Sequence, residues 1–444
     1  MSKKVFLKGT LILACTGLVS RIAGFFYRIF LSHAIGAEGL GLYQLILPLQ
    51  GLMAALSYTG IQSALSRLIA SRLALQEKKE AYFSLVTGIF AAVFFSAVTG
   101  FLLFRHADFF ASTILKAPGT SDLLRLTAAR IPLCAIHSCI DSYYYARKKA
   151  SVPAAVQLSE QTVRIGATYI LYLIFLSEGR PVTAMIAAGG SLAGEAAASL
   201  ISLLMVSFHF GNHPVKEKTS VKIFPLIKDL FTLSFPISLN RILLTLLGSI
   251  EAVLIPQMLI RCGMTSSEAL KIYGIFTGMA LPLLLFPSTI TTSAAVMLMP
   301  SVARMDALGD QKQIRYVTDQ TFFLCMFLGF LCGSGFFLFG PFLGTLLFHS
   351  KTAGTYIRYL SFICPFLYTN TMLASILQGL GRPGRCLIHS AAGILIRIFS
   401  VVFMIPAIGI RGYFYGIFLG ELLLSLLHVK ALKFPYRQAG DNRL

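Results

Sequence analysis

Twelve apolar segments, each long enough to cross a lipid bilayer as a helix, follow one another along this chain of 444 residues. A helix needs about 20 mostly apolar residues to span the hydrocarbon core. Because backbone polar groups must be satisfied inside the bilayer, such segments fold as helices. The expected spans lie at about 10–31, 39–61, 82–104, 122–145, 152–176, 182–207, 230–256, 272–299, 317–347, 356–379, 386–407 and 411–429. The sequence therefore predicts an all-α polytopic membrane protein.

The composition and the placement of charge agree with this interpretation. The chain is 56% hydrophobic and 13% charged, with a mean hydropathy of +0.75. A net charge of +20 would suggest nucleic acid binding in a soluble protein, but 23 of the 38 Lys and Arg residues lie at the termini or in even-numbered gaps between spans. An excess of Lys and Arg is typical of the loops on the cytoplasmic side of a membrane protein. We expect a multi-pass protein of the cytoplasmic membrane, with both termini cytoplasmic and no nucleic acid partner.

The two halves of the sequence repeat at an offset of about 233 residues, which is typical of a parallel internal repeat. The matched pairs are Pro132 with Pro365, Arg164 with Arg397, and Arg72 with Arg304. We therefore expect two six-helix lobes related by a parallel pseudo-two-fold repeat. Their expected bounds are 1–208 and 229–430, with a cytoplasmic linker at 209–228 and a cytoplasmic tail at 431–444. A substrate site is expected between such halves, near the membrane midplane.

Four arginines within spans are candidates for binding an anionic substrate: Arg21, Arg28, Arg241 and Arg397. A charge near the bilayer centre costs at least about 2.5 kcal/mol, so it usually faces protein or a watery cavity. Arg21 and Arg28 are seven residues apart and share a helix face. A guanidinium can bind a phosphate or pyrophosphate group bidentately. Alternatively, these arginines pair with acids on neighbouring helices, or Arg28 reaches the headgroups.

The acidic residues within spans leave two interpretations open. Glu251 is a candidate for the coupling acid that binds a proton or a cation, or for an acid that lines the cleft. It could equally pair with an arginine. Glu195 and Glu421 share this ambiguity. Arg130 and Asp141 are too far apart on their helix to pair directly, so their roles stay open.

Glu160 and Arg164 are four residues apart and are expected to neutralise each other on one helix face. Gly393 stands at the position that corresponds to Glu160 in the second half, so Arg397 lacks this local partner. This difference is the reason for placing Arg397 among the residues that could face the cleft.

Prolines and paired glycines predict local helix geometry. Five prolines are expected to kink or interrupt helices and to supply bending points for alternating access: Pro48, Pro132, Pro282, Pro287 and Pro365. Two small-residue pairs are expected to let helices approach closely: Gly190 with Gly194, and Gly329 with Gly333.

No residues are assigned to catalysis or metal binding, and no cofactor is expected. The eight cysteines show no C-x-x-C spacing. His209 and His213 lack the glutamate of a zinc-binding H-E-x-x-H motif. The glycines at 379, 381 and 384 match G-x-G-x-x-G but follow a membrane helix, so they are interpreted as a cytoplasmic turn rather than a nucleotide site.

Several motifs resemble those of polysaccharide-biosynthesis and stage V sporulation protein B-like transporters, of the multidrug/oligosaccharidyl-lipid/polysaccharide flippase superfamily. They are the runs SRIAGFFYR at 20–28, IGAEGLGLYQ at 35–44 and LQGLGR at 377–382, and the stretch 236–256. In related lipid II flippases, first-helix arginines line the central cavity, and Arg21 matches one of them directly. The second arginine of that motif falls where Tyr27 stands here, so Arg28 departs from it.

The resemblance implies a flippase that moves a lipid-linked, pyrophosphate-bearing sugar such as a peptidoglycan precursor by alternating access, not an enzyme. Many relatives have fourteen spans rather than twelve, and sodium-coupled relatives carry acidic or amide groups on the eleventh helix, where this chain has His389 and Arg397. Protons or the membrane potential are therefore the expected drive. The alternatives are a cation-coupled multidrug exporter of the same fold and a scaffold for envelope or spore assembly. A membrane glycosyltransferase is disfavoured because no outer loop is large enough for a catalytic site.

Overall fold

The computed structural model describes the backbone of residues 3–212 and 223–433, and every regular element in these ranges is helical. The α-helices are α1 Lys3–Ala34, α2 Gly36–Ser57, α3 Thr59–Ala74, α4 Lys78–Arg105, α5 Ala107–Phe109, α6 Ser121–Ala146, α7 Ser151–Ser177, α8 Met185–Asn212, α9 Ile223–Arg261, α10 Ser266–Gly274, α11 Leu281–Leu285, α12 Ser288–Ala307, α13 Gln311–Phe348, α14 Lys351–Leu360, α15 Cys364–Gly379, α16 Pro383–Ile408 and α17 Ile410–Lys433. The all-α prediction is confirmed.

The helices coincide with the expected spans. Within the described ranges, ten helical segments are long and apolar enough to cross a membrane. Helices α1 and α7, of 32 and 27 residues, lie at the other two expected spans. The chain is therefore a multi-pass membrane protein. Half of the linker expected at 209–228, including His213, and most of the tail at 431–444 lie outside the described residues.

The prolines differ in their local effect. Pro48 and Pro132 lie inside the continuous helices α2 and α6, so the expected interruption does not occur there. Pro282 is the second residue of α11, which follows a π-helical turn, and Pro287 lies between α11 and α12. Pro365 follows a 3-10 turn at the start of α15. An internal proline removes only one backbone hydrogen bond, which a membrane helix tolerates when its neighbours support it.

The chain forms two compact units, Met1–Ser249 and Ile250–Leu444, and the division falls within α9. The first half of α9 packs in the first unit for visible reasons. The Arg72 guanidinium lies 3.0 Å from the Asp229 carboxylate, and Ser249 donates a hydrogen bond of 2.9 Å to the Pro48 carbonyl. A Cβ on Gly60 would lie 3.0 Å from the carbonyl oxygen of Ser234. The compact units therefore divide later in the chain than the lobe boundary expected from the sequence.

The paired glycines hold helices at close range, as predicted. A Cβ on Gly190 would lie 2.8 Å from the Arg164 carbonyl oxygen, and one on Gly194 would lie 2.9 Å from that of Glu160. Helices α7 and α8 therefore touch through their backbones. In the second unit, a Cβ on Gly329 would lie 2.3 Å from the Cα of Pro365. These contacts set the distances between polar groups on neighbouring helices.

Candidate functional site

A cavity of about 480 Å³ lies within the first unit, between α1, α2, α6 and α7. Three arginines line it: Arg28 from α1, Arg130 from α6 and Arg164 from α7. No aspartate or glutamate is among its lining residues. The volume is within the range of about 300–1,000 Å³ that is usual for small-ligand sites. The cavity therefore presents guanidinium groups and no carboxylate directly to its interior.

The remaining polar lining consists of amides and phenols. Three glutamines and three tyrosines contribute: Gln44, Gln50, Gln161, Tyr27, Tyr43 and Tyr58. Amides both donate and accept hydrogen bonds, and phenolic hydroxyls do the same. This lining is chemically suited to a ligand that carries many hydroxyl or amide groups.

Arg130 is neutralised by a buried acid on α8. Its Nε and Nη2 atoms donate to Oε1 of Glu195 at 3.1 and 2.5 Å. Its Nη1 atom donates to Oε1 of Gln50 at 3.2 Å, which fixes the guanidinium at the cavity wall. The Glu195 side chain is 4% exposed and also lies 3.1 Å from Nδ1 of His137. Glu195 therefore forms an ion pair with Arg130 through Oε1, which is one of the two interpretations that the sequence left open.

Arg164 is neutralised locally, as the sequence predicted. Its guanidinium lies 3.2 Å from the Glu160 carboxylate one helical turn earlier, and it also contacts the Gln161 side chain. Because Gly190 and Gly194 bring α8 against this part of α7, the Glu160 and Glu195 carboxylates come close to each other. Two of the three cavity arginines therefore have acidic partners.

Arg28 differs from the other two arginines. It is partly buried and lines the cavity, and it forms no ion pair with any residue that the structure describes. The preceding residue fixes this part of α1, because the Tyr27 hydroxyl lies 3.0 Å from Oγ1 of the buried Thr168 on α7. Phe30 packs edge-on against Tyr172 on the same helix. The guanidinium of Arg28 is thus held beside the cavity with its charge not neutralised by an acid.

Arg21 and Arg241 do not line this cavity. Arg21 lies two helical turns before Arg28 on α1 and is exposed, and Arg241 is exposed on α9. The spacing between Arg21 and Arg28 suggested a shared face, yet only Arg28 lines the enclosed space. The sequence therefore predicted the correct helix, α1. The packing of α2 and α7 against it determines that Arg28, and not Arg21, borders the cavity.

The second unit contains a tight ion-pair network around Arg397. Its Nε and Nη2 atoms donate to the two carboxylate oxygens of Glu251 at 2.7 and 3.2 Å. Its Nη1 atom lies 3.3 Å from Glu421, and the Tyr413 hydroxyl donates to Glu251 at 2.7 Å. Glu421 also accepts a 2.8 Å hydrogen bond from Asn370. Arg397 thus has two acidic partners, and Glu251 is paired with an arginine, which is the alternative that the sequence left open for both residues.

The two units share a pattern that follows the sequence repeat. Arg164 and Arg397 are equivalent positions, but Gly393 replaces the local acid, so Arg397 takes its acids from α9 and α17. His137 and Asn370 are also 233 residues apart, and each lies close to a glutamate, Glu195 on α8 and Glu421 on α17. The pair of His137 and Asn370 was not among the matches predicted from the sequence, although it has the same offset. Its presence supports the internal repeat.

Comparison with known proteins assigns the chain to a family. Residues 6–306 match the family model described as "Polysaccharide biosynthesis protein". Stage V sporulation protein B of Bacillus subtilis is 30% identical over 440 residues, covering 96% of this chain and 83% of that protein. Lipid II flippase MurJ of the same organism is 22% identical over 457 residues, covering 96% of this chain and 82% of that protein.

A solved structure gives the same fold. The structure described as lipid II flippase MurJ in an inward closed conformation has a TM-score of 0.72 and 13% sequence identity, covering 95% of this chain and 87% of that one. At this identity the match supports the fold alone. The family model and the sporulation relative together confirm the resemblance seen in the sequence motifs. The chain therefore belongs to the polysaccharide biosynthesis protein family.

Proposed function

We propose that this chain is a flippase for an anionic lipid-linked sugar, and that the cavity of the first unit binds the phosphate or pyrophosphate group of the substrate. The observation that carries the proposal is Arg28, which lines the cavity without an acidic partner among the described residues. A guanidinium that is partly removed from water without a counter-ion is costly in an apolar surrounding. An anionic ligand removes that cost and gains charge-assisted hydrogen bonds.

The charge balance of the cavity wall supports an anionic ligand over a cationic one. Arg130 and Arg164 are each matched by a glutamate, so Arg28 leaves an excess of one positive charge. Coulomb interactions are several-fold stronger in such a site than in bulk water. The two paired arginines add hydrogen-bond donors at the wall without adding net charge.

The glutamine and tyrosine side chains support a sugar beside the phosphate. Gln44, Gln50 and Tyr43 on α2 and Gln161 on α7 offer both donors and acceptors toward the cavity. Hydroxyl and acetamido groups of a sugar need such partners when they leave water. The names of the relatives, a lipid II flippase and a stage V sporulation protein, are consistent with a peptidoglycan precursor, and this substrate belongs to the proposal.

Transport would proceed by alternating exposure of the cavity to the two sides of the cytoplasmic membrane, while the lipid chain stays in the bilayer. The excess of basic residues in even-numbered gaps favours cytoplasmic termini. Protons or the membrane potential remain the proposed drive. Arg21 and Arg241 are kept as proposed further contacts for the anionic headgroup, since both side chains are exposed. Arg397 and Glu251 are left out because they satisfy each other.

A cation-coupled multidrug exporter of the same fold is the competing function. It would need a carboxylate facing the cavity to receive a cationic drug, and no lining residue of this cavity is acidic. A non-transporting scaffold would be insensitive to the loss of Arg28. Since one relative is named a lipid II flippase, and flipping needs no catalytic group, we do not propose an enzymatic reaction.

The test is flipping of a fluorescent lipid-linked diphosphate sugar in proteoliposomes, with the parent, Arg28→Gln and Arg315→Gln compared. Arg315 is a matched control because its side chain is 88% exposed at the start of α13. Loss of charge-assisted hydrogen bonds worth about 1.5–3 kcal/mol predicts a decrease of at least about tenfold for Arg28→Gln. Arg315→Gln should flip at the parental rate. Equal rates in all three proteins would refute the proposed site.

A further inference from the structure

Three side chains from three helices of the first unit converge just behind the cavity wall. His137 on α6, Glu160 on α7 and Glu195 on α8 each offer one ligand atom, and these atoms all lie within 4.8 Å of one another. Glu195 is buried, whereas His137 and Glu160 are partly buried. The proposed anion site uses the arginines that hold these acids, but it gives no role to the histidine.

Several buried nitrogen and oxygen atoms that could bind a metal in this cluster have no hydrogen-bond partner among the described residues. Glu195 directs Oε1 at Arg130, whereas its Oε2 atom makes no hydrogen bond with any described residue. Nδ1 of His137 lies 3.1 Å from that Oε2 atom, in an orientation that forms no hydrogen bond, and is likewise unsatisfied. Oδ1 of Asp141, one turn further along α6, is a third unsatisfied buried atom. Such atoms are expensive to bury unless something binds them.

The chemistry of these donors selects a class of ligand. An imidazole nitrogen together with carboxylate oxygens suits divalent transition metals such as Zn²⁺. Na⁺ and Ca²⁺ prefer shells made only of oxygen, and imidazole is a poor ligand for them. The three carboxylates around the cluster, from Asp141, Glu160 and Glu195, outnumber the two arginines that pair with them by one negative charge. A divalent cation would reverse the sign of this local charge.

We propose that His137, Glu160 and Glu195 bind a divalent transition-metal cation, with Asp141 as a further oxygen donor, and that the bound metal strengthens anion binding in the adjacent cavity. The second half of this inference rests on the proposed function. Arg130 and Arg164 link the two sites, because each lines the cavity and is held by a carboxylate of the metal cluster. A cation that draws on these carboxylates makes both guanidiniums more available to a phosphate group.

The coupling must be reciprocal, since each ligand changes the affinity for the other by the same factor. With metal bound, the cluster and Arg28 together carry an excess of two positive charges, which matches a diphosphate. Without metal, the extra negative charge behind the cavity wall weakens the attraction of an anion to Arg28 but does not abolish it, because Arg28 lines the cavity itself. This difference in net charge is the reason why a bound cation would promote the binding of an anionic substrate.

The metal site is tested on the detergent-purified full chain by titration with Zn²⁺ and by the visible absorption of bound Co²⁺. His137→Asn is the informative variant, because Asn370 occupies the equivalent position in the second unit and shows that this repeat accommodates asparagine. We expect at least a tenfold loss of Zn²⁺ affinity in His137→Asn and in Glu160→Gln. His106→Asn, at an exposed position after α4, should bind like the parent.

The coupling is tested separately, by the flipping rate of the lipid-linked diphosphate with and without Zn²⁺. We expect Zn²⁺ to raise the parental rate and to have no effect on His137→Asn. Failure of the parent to bind Zn²⁺, or unchanged binding in both ligand variants, would overturn the metal site. Metal binding without any change in flipping would overturn the coupling, whereas metal binding in a chain that flips nothing would support the site and refute the proposed function.

Discussion

Arg130 donates hydrogen bonds from Nε and Nη2 to a single oxygen of Glu195, at 3.1 and 2.5 Å. The two residues are 65 positions apart in the sequence and lie on α6 and α8. The pair holds a cavity arginine in place and leaves the second carboxylate oxygen facing His137. One ion pair thus joins the proposed anion site to the proposed metal site.

Removing the charge of Glu195 should destabilise the fold strongly. Glu195→Gln leaves the Arg130 guanidinium buried without a counter-ion, and breaking a buried pair in this way costs about 3–5 kcal/mol. The free energy of unfolding in mixed micelles measures the effect. Glu178→Gln is the control, because Glu178 pairs with Arg180 outside the spans and its side chain is 44% exposed. An exposed pair is worth at most about 1 kcal/mol, so similar losses in both variants would contradict the assignment.

Loss of Arg397 should lower the free energy of unfolding strongly, whereas loss of Arg241 should hardly change it. Arg397→Ala leaves Glu251 and Glu421 without their cation, so we expect an unfolding free energy lower by about 3–5 kcal/mol. Arg241 is exposed on α9, so Arg241→Ala should change stability by no more than about 0.5 kcal/mol. The same unfolding experiment compares them. A stable Arg397→Ala protein with an isolated defect in flipping would instead favour a direct substrate contact at Arg397.

Two glycines on α13 provide a matched test of helix packing. A methyl group on Gly329 would lie 2.3 Å from the Cα of Pro365, whereas one on Gly335 meets nothing within 4 Å. We expect Gly329→Ala to cost at least about 1–3 kcal/mol through overpacking. Gly335→Ala should be neutral or stabilising by up to about 1 kcal/mol, because alanine favours the helix. Equal stabilities of the two variants would argue against the α13–α15 contact.

The sequence predicted the helices well because the apolar runs and the positions of Lys and Arg are local signals. It could not place the break in α9, because the division depends on which surfaces the first half of that helix meets, such as Asp229 against Arg72. The interruption expected at Pro132 is also absent, since α6 continues through this residue. Sequence rules state that proline disfavours a helix interior, but the packing of neighbouring helices determines whether the helix continues through it.

The site was predicted only in part, for a similar reason. Glu160 and Arg164 are four residues apart, so their pairing follows from helix geometry alone. The contact between Arg130 on α6 and Glu195 on α8 depends on how these two helices pack, and no spacing in the sequence encodes it. The repeat did contain a usable signal, because His137 and Asn370 share the 233-residue offset. Arg28 was named from its position in an apolar run, but its lack of an acidic partner required the packing around it.

Binding of inorganic pyrophosphate to the purified full chain in metal-free buffer tests the central claim most directly. The account predicts measurable binding to the parent and to Arg315→Gln. Affinity should fall by at least about tenfold in Arg28→Gln, with partial retention in Arg28→Lys because the ammonium keeps the charge but not the bidentate geometry. Equal affinity of Arg28→Gln and the parent would contradict the assignment of the cavity as the anion site.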